Sequence, residues 1–189
     1  MTSTTGIHEA IEASDKQMLI SLLNDDPTSI NNRDGYGRTP LALAMRNHLK
    51  HSFIALLLSK GADASIQDHY GLTPLHYITS DDQLPTIQLL VSTHNANPNT
   101  KDLRGQTPLH VVTLNRCYKT LIYLLKQTYV PITNINVQDN QGLTPLHHAT
   151  LNNDHQSMNI LLNHKDIDST ITDKHNNTPL DYARRNDPI

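Results

Sequence analysis

The sequence predicts an all-α solenoid in which short helix-turn-helix units stack side by side. The tripeptide Thr-Pro-Leu occurs five times, beginning at Thr39, Thr73, Thr107, Thr144 and Thr178. An Asp precedes each copy by five residues, and three residues after that Asp comes a Gly or, in the last copy, Asn176. A Leu-rich segment follows each of the first four copies. Five phased copies do not arise by chance, so an internal repeat organises the chain.

Each unit carries the residues of a turn followed by a capped helix. Asp-x-x-Gly is typical of a tight turn, because Gly adopts a positive φ without a steric penalty, and Asn176 tolerates that region better than most residues. Thr is a good helix N-cap, and the Pro after it occupies the first helical position, where no backbone N–H is needed. Gly61 fits the C-terminal end of a second helix. Neither helix buries its apolar face alone, so neighbouring units are expected to stack.

The turn Asp residues divide a single domain, residues 1–189, into repeats. The first repeat, 4–33, is degenerate and has the polar character of an N-terminal cap. The later repeats are expected at 34–67, 68–101, 102–138 and 139–172, with a partial repeat at 173–189. The fourth is three residues longer, in the segment 127–133. The last contains one helix, which is typical either of a natural short cap or of a fragment of a longer stack.

Five helix pairs and a final helix follow from this division. Pairs are expected near 6–13 and 15–24, 40–47 and 50–59, 74–80 and 84–92, 108–115 and 117–127, and 145–152 and 154–163, and the final helix near 179–186. Pro85 falls at the start of its helix, where proline is tolerated. The leucine of each Thr-Pro-Leu copy is expected at an equivalent buried position: Leu41, Leu75, Leu109, Leu146 and Leu180.

These residues resemble those of the ankyrin repeat. The segment Thr144-Pro145-Leu146-His147-His148-Ala149 matches the Thr-Pro-Leu-His-x-Ala core of that family. The copies that begin at Thr73 and Thr107 match its first four positions, and the segment 58–63 is similar to the end of the family's second helix. The resemblance covers nearly the whole chain and implies an ankyrin-repeat solenoid with β-turn fingers.

The 12 histidines invite comparison with a metal site. Zinc needs three or four convergent ligands, whereas His76, His110 and His147 recur once per repeat and cannot converge. The ankyrin resemblance implies that these three hydrogen-bond backbone and polar groups between neighbouring fingers, and His8 aligns with the same row. The scattered histidines are interpreted as solvated surface. We therefore expect no metal site and no cofactor.

Apparent catalytic motifs have simpler structural interpretations. Cys117 lies at the start of a predicted helix, which lowers a thiol pKa and allows modest reactivity, but no independent motif supports a nucleophile. Gly35 and Gly37 belong to a finger turn, since a phosphate loop needs a preceding strand and a third glycine. The turn Asp residues lie one repeat apart and form no carboxylate pair. The chain is predicted not to be an enzyme.

Charge and hydropathy exclude two further classes. Lys and Arg number 15 against 18 Asp and Glu, a net charge of −3, whereas binding to nucleic acid depends on clustered cations. No apolar run approaches the roughly 20 residues of a membrane span, and the first five residues lack the regions of a signal peptide. A single cysteine suits a reducing compartment. We expect a cytoplasmic monomer that binds neither nucleic acid nor membrane.

The ankyrin resemblance implies a protein-interaction module without chemistry of its own, binding through its concave face and finger tips. Carried over position by position, the candidate binding residues are Tyr36, Arg38, His69, Tyr70, Leu72, Leu103, Arg104, Gln106, Asn140, Gln141 and Leu143. Aromatic and Arg residues are frequent interface anchors. Leu72 and Leu143 equally suit a structural role, in which they cover the finger backbone of the next repeat.

Two other functions are open at this level. The chain can be the targeting part of a larger enzyme or of a bacterial effector delivered into a host cell, with the catalytic domain beyond residue 189. It can also be a regulatory subunit that inhibits an enzyme or transcription factor by occluding it. The full gene length separates the first alternative from an interaction module, and the identity of the bound partner separates the second.

Overall fold

The computed structural model describes residues 6–94, 96–126, 132 and 134–186. Within these residues the regular structure is helical throughout, and no strand is present. The α-helices are α1 (Gly6–Glu12), α2 (Lys16–Asp25), α3 (Pro40–Arg46), α4 (His51–Ser59), α5 (Leu84–Thr93), α6 (Pro108–Leu114), α7 (Tyr118–Leu125), α8 (Pro145–Leu151), α9 (His155–Leu162) and α10 (Pro179–Asn186). Short 3-10 helices cover Pro27–Asn31, Pro74–Tyr77 and Asp81–Gln83. The predicted all-α repeat fold is confirmed.

The Thr-Pro pairs begin helices as the sequence indicates. The Thr39 hydroxyl accepts the backbone N–H of Ala42 at 3.2 Å, and Pro40 is the first residue of α3. The Thr144 hydroxyl accepts the N–H of His147 at 3.3 Å at the start of α8. Each cap satisfies a backbone donor that has no partner inside the helix. Thr-Pro therefore fixes where the first helix of these repeats starts.

The remaining helix ends also follow local chemistry. Pro85 is the second residue of α5, within the first turn, where a missing N–H costs nothing. Gly61 has a φ of +91° just after α4, as expected of a helix C-terminus. The insertion predicted in 127–133 lies outside the described residues apart from Ile132.

The chain divides into two compact units, Met1–Ile78 with Pro85–Asn97, and Thr79–Leu84 with Pro98–Ile189. In the first unit α3 contacts α1, α4 and the 3-10 helix at Pro74–Tyr77. In the second unit α8 contacts α6, α9 and α10, while α7 contacts α6 and α9. Each unit therefore has a row of first helices backed by second helices. The single domain over 1–189 and the repeat boundaries stay predictions.

The apolar cores contain four of the five Thr-Pro-Leu leucines. Leu41 and Leu75 are buried in the first unit, and Leu109 and Leu146 in the second. The prediction of an equivalent burial for Leu180 is wrong, because its side chain is 53% exposed. Within the described residues α10 packs against α8, and no helix on its other side covers this leucine.

The predicted helix at 74–80 is also wrong in part. Only Pro74–Tyr77 is helical, as a 3-10 turn, and Ile78 is extended with φ −74° and ψ 122°. Ile78 and Thr79 are β-branched and weak helix formers. The Ser80 hydroxyl accepts the N–H of Asp82 at 3.1 Å, so it caps the next 3-10 helix. A cap at this position ends the earlier helix.

Candidate functional site

The candidate site is built on five turns, called fingers here and numbered by repeat. They are finger 2 (34–38), finger 3 (68–72), finger 4 (102–106), finger 5 (139–143) and finger 6 (173–177). In each, the first N–H donates to the last carbonyl, for example Asp34 to Arg38 at 3.0 Å and Asp102 to Gln106 at 2.8 Å. Fingers 2 and 3 belong to the first unit, and fingers 4, 5 and 6 to the second.

The turn Asp of each finger holds the backbone through one carboxylate oxygen. Asp139 Oδ1 accepts the N–H groups of Gln141 at 2.9 Å and Leu143 at 3.0 Å. The same pair of bonds recurs at Asp34, Asp68, Asp102 and Asp173. The fourth residue has a positive φ, +77° at Gly37 and +62° at Asn176. The predicted turn chemistry is confirmed.

The second carboxylate oxygen meets a side chain nine residues further on in three fingers. Tyr77 donates to Asp68 at 2.5 Å, His148 Nε2 lies 2.9 Å from Asp139 Oδ2, and the Tyr182 hydroxyl donates to Asp173. Burial opposes ionisation of Asp139, but the bonds from His148 and the finger backbone outweigh it and lower its pKa. These carboxylates are therefore internal anchors of their fingers.

The interpretation of His148 as solvated surface is wrong. The residue is buried, its ring is bonded to Asp139, and its centroid lies 5.6 Å from that of His110 in an edge-on arrangement. The spacing of nine residues from the turn Asp, shared with Tyr77 and Tyr182, is the sequence signal that identifies this role.

The histidines of the Thr-Pro-Leu-His copies are structural, as predicted. Thr107 donates its N–H to His110 Nδ1 at 3.1 Å, so the ring proton resides on Nε2, which lies 3.2 Å from the Leu143 carbonyl in the next finger. His147 makes the equivalent contact with Asn177, and His8 Nε2 lies 3.0 Å from the Arg38 carbonyl. Burial lowers the pKa of His110 to about 4, and His148 adds to the effect.

Fingers 2 and 3 are joined within the first unit by a bond from His69 N–H to the Tyr36 carbonyl at 2.9 Å. Tyr36 and Tyr70 are 48% and 58% exposed. Arg38 is half-buried. Its Nε donates to Asp34 Oδ2 at 2.7 Å, and its guanidinium lies 4.6 Å from the Tyr36 ring centroid. Arg38 therefore positions Tyr36 instead of presenting a free charge. Among the other candidates, His69 is exposed and Leu72 half-buried.

Fingers 4 and 5 form a polar cavity within the second unit. Asn140 donates its backbone N–H to the Arg104 carbonyl and its side-chain amide to the Leu103 carbonyl, both at 2.8 Å. The cavity has a volume of about 370 Å³ and is lined by Leu103, Arg104, Gln106, Asp139, Asn140, Gln141 and His148. Five of these are predicted binding residues. Asp139 and His148 were not predicted, because each was assigned a different role.

Leu143 differs from the other candidates of finger 5. Its side chain is buried, while Asn140 and Gln141 are exposed. Its carbonyl accepts the ring N–H of His110 at 3.2 Å, so the residue helps to hold finger 5 to the helix before it. Burial favours the structural interpretation of Leu143.

Comparison with known protein families supplies the identity of the repeats. A family model described as ankyrin repeats (3 copies) matches residues 49–134 and 127–189. The chain belongs to the ankyrin repeat family. Ankyrin repeats are generally protein–protein interaction modules and are typically non-catalytic. No curated protein matches the chain significantly.

The cysteine of these ankyrin repeats is not activated. Cys117 stands just before α7 without capping it and is buried, and burial raises the pKa of its thiol to about 11, with the Asp81 carboxylate adding to the rise. Asp81 accepts the N–H groups of Lys119 and Thr120 at 3.0 and 2.9 Å, at the start of α7. The predicted modest reactivity is wrong, because burial and this carboxylate outweigh the helix N-terminus.

Among residues 6–94, 96–126, 132 and 134–186, no group of three or more His, Cys, Asp or Glu side chains is arranged to hold a metal ion. In the same part of the ankyrin chain, no helix has the length and apolar character needed to cross a bilayer.

Proposed function

We propose that this ankyrin-repeat chain binds a partner protein through its finger tips and performs no chemistry itself. The observation that carries the proposal is the exposure of apolar side chains at the tips. Leu103, at 68%, and Tyr70, at 58%, are the two most exposed large hydrophobic side chains among the described residues. Aromatic side chains are enriched at protein–protein interfaces relative to the rest of the surface.

The chemistry and rigidity of the tips support the same proposal. Tyr and Arg are enriched among interface residues that dominate binding energy, and Tyr36, Tyr70 and Arg104 occupy the same position in three fingers. Each finger is closed by backbone bonds and by its turn Asp, so binding orders little of the backbone. A preorganised surface loses less conformational entropy on association.

The proposal also covers oligomeric state and location: the chain acts as a monomer, and it acts in the cytoplasm. The cytoplasmic location rests on the sequence, which has a single cysteine, and on Cys117 being a buried free thiol. Disulfides are rare in reducing compartments. Analytical ultracentrifugation of the purified chain and imaging of the tagged protein in its native cell check both statements.

The test measures how tightly a triple finger variant and a double control variant bind a partner that has been captured from the native cell and purified. Tyr36→Ala, Tyr70→Ala and Arg104→Ala together are expected to weaken binding at least tenfold, about 1.4 kcal/mol, in calorimetry. The melting temperature is expected to change little, because exposed substitutions usually stay within about 0.5 kcal/mol. Tyr36 and Tyr70 lie outside the cores.

The matched control removes exposed apolar groups elsewhere. Ile122 in α7 and Leu162 in α9 are both exposed on second helices, and Ile122→Ala with Leu162→Ala is expected to leave affinity unchanged. An unchanged affinity in the finger variant, or an equal loss in the control, contradicts the proposed surface. A collapse of the melting temperature in the finger variant shows instead that these side chains are structural.

A further inference from the structure

We propose that the cavity between fingers 4 and 5 binds an acidic side chain, Asp or Glu, of the partner protein, with Arg104 pairing with its carboxylate. The inference rests on the proposed function and adds the chemistry that the partner must present. The sequence resemblance assigned Arg104 to a finger tip but indicated neither the cavity nor its preferred ligand.

The backbone around the cavity is fixed before any ligand arrives. Leu103, Arg104 and Gln106 come from finger 4, and Asn140 and Gln141 from finger 5. The two bonds from Asn140 lock the fingers together. A Cβ atom added at Gly105 would lie 2.8 Å from the Asn140 backbone nitrogen, so glycine permits this close approach. Finger 5 is tied in turn to finger 6 by a bond from Lys174 N–H to the Gln141 carbonyl at 3.1 Å.

The acid in the cavity is already satisfied. Asp139 Oδ1 accepts two backbone N–H groups, and Oδ2 lies 2.9 Å from His148 Nε2. The Asp139 side chain is only 5% exposed, so a cation that enters the cavity has little access to its carboxylate. Asp139 therefore has a structural role in the cavity lining, and it does not make the cavity a binding site for a basic side chain.

The exposed charge at these fingers is positive. Arg104 is exposed, and no hydrogen bond or ion pair of its guanidinium is found among the described residues. Lys101, directly before finger 4, and Lys174, in finger 6, are also exposed. The carboxylates of Asp139 and Asp173 are buried and hydrogen-bonded. The remaining acid, Asp102, is half-buried and accepts the N–H groups of Arg104 and Gln106 on one oxygen. Such a distribution favours an anionic partner group.

A carboxylate matches this cavity better than a phosphate group. The planar guanidinium of Arg104 presents two parallel donors that fit either group, so the charge of the ligand decides between them. One free guanidinium balances one negative charge, whereas a phosphate ester carries about −1.5 to −2. Leu103, the most exposed large apolar side chain among the described residues, stands at the rim and suits the methylene groups of Asp or Glu or an apolar neighbour in the partner.

The experiment selects peptides on the full chain from a phage library of random peptides of about 12 residues. Three proteins are compared: the unaltered chain, Arg104→Gln, and Lys174→Gln. The last removes the same charge from the adjacent finger without touching the cavity lining. Enriched peptides are then synthesised in three forms, with the acidic residue, with its amide, and with phosphoserine at that position. Their affinities are measured by fluorescence polarisation.

Support requires enriched peptides with a recurrent Asp or Glu whose change to the amide weakens binding to the unaltered chain at least tenfold. The same change must cost less than twofold on Arg104→Gln and keep its full effect on Lys174→Gln. The inference is overturned if no peptides are enriched, if the discrimination survives in Arg104→Gln, or if the phosphoserine form binds more than tenfold tighter. Enriched peptides that bind Arg104→Gln as tightly as the unaltered chain overturn this inference and leave the proposed function intact.

Discussion

Protonation of His110 should destabilise the second unit in mild acid. Its Nδ1 accepts the N–H of Thr107 at 3.1 Å and its Nε2 faces the Leu143 carbonyl at 3.2 Å. A second ring proton would sit on Nδ1 and break the cap of α6. Burial of the ring, followed by the nearby charge of His148, lowers its pKa from 6.5 to about 4. The folded protein therefore keeps His110 neutral where the unfolded chain is protonated.

The magnitude follows from linkage between protonation and folding. Between about pH 6.5 and pH 4 the unfolded chain binds a proton at His110 that the folded protein does not, so stability falls as pH falls. Stability is fully present above pH 6.5. The two pKa values give a loss of about 2 kcal/mol between pH 7 and pH 5, and about 3 kcal/mol below pH 4.

Urea unfolding of the unaltered chain and of His110→Gln, each at pH 7 and pH 5, measures this loss. Gln at the third helical position still accepts the Thr107 N–H, as in a capping box. The variant should be less stable at pH 7, by about 1–3 kcal/mol, because the Leu143 carbonyl loses its donor. Its loss between pH 7 and pH 5 should be smaller by about 2 kcal/mol than that of the unaltered chain. His147, whose pKa burial also lowers, is present in both proteins and cancels.

Two results would refute the reasoning about His110. One is an NMR titration in which the His110 ring has its midpoint near 6.5, the ordinary value. The other is an equal loss of stability between pH 7 and pH 5 in the two proteins. Either result would mean that the buried ring accepts a proton without breaking its hydrogen bonds.

Three further predictions concern packing, capping and metals. Leu109→Ala should destabilise the chain by about 2–5 kcal/mol and Leu180→Ala by markedly less, since Leu180 is 53% exposed; equal losses in urea unfolding would argue that the last helix is covered. Asp81→Ala should cost about 1–2 kcal/mol because Asp81 caps α7, while the exposed Asp82→Ala should change little; similar effects would remove this role. Protein purified without a His tag should contain no stoichiometric zinc by elemental analysis, because the Nδ1 atoms of the repeat histidines accept Thr N–H groups; bound zinc together with a chelator-induced fall in Tm would contradict this.

The features that the sequence predicted well are those that a few neighbouring residues determine. A turn Asp bonds atoms two and four residues away, and Asn176 replaces glycine at +62° without altering its finger. Thr and Pro place a helix start by local capping alone. The repeat histidines are similar, since Nδ1 bonds the Thr three residues earlier, and only the Nε2 contact reaches the next finger.

The features that the sequence missed depend on partners distant in the chain. Leu180 occupies the same position in its repeat as Leu109 does, and its exposure reflects the lack of a covering helix among the described residues. Asp81 caps a helix 38 residues away. The cavity between fingers 4 and 5 likewise exists only because two repeats meet at Gly105. Motifs within one repeat carry no record of these contacts.

Two arginines among the predicted binding residues have different roles because of their offset from the turn Asp. Arg38 follows Asp34 by four residues, reaches its carboxylate at 2.6 Å and supports the Tyr36 ring. Arg104 follows Asp102 by two residues, and no ion pair with that carboxylate forms. A charge already paired within its own finger must give up that partner before it binds another, whereas a free guanidinium gives up only water. The direct ionic contact with a partner should therefore fall to Arg104, and Arg38 should contribute by holding Tyr36 in place.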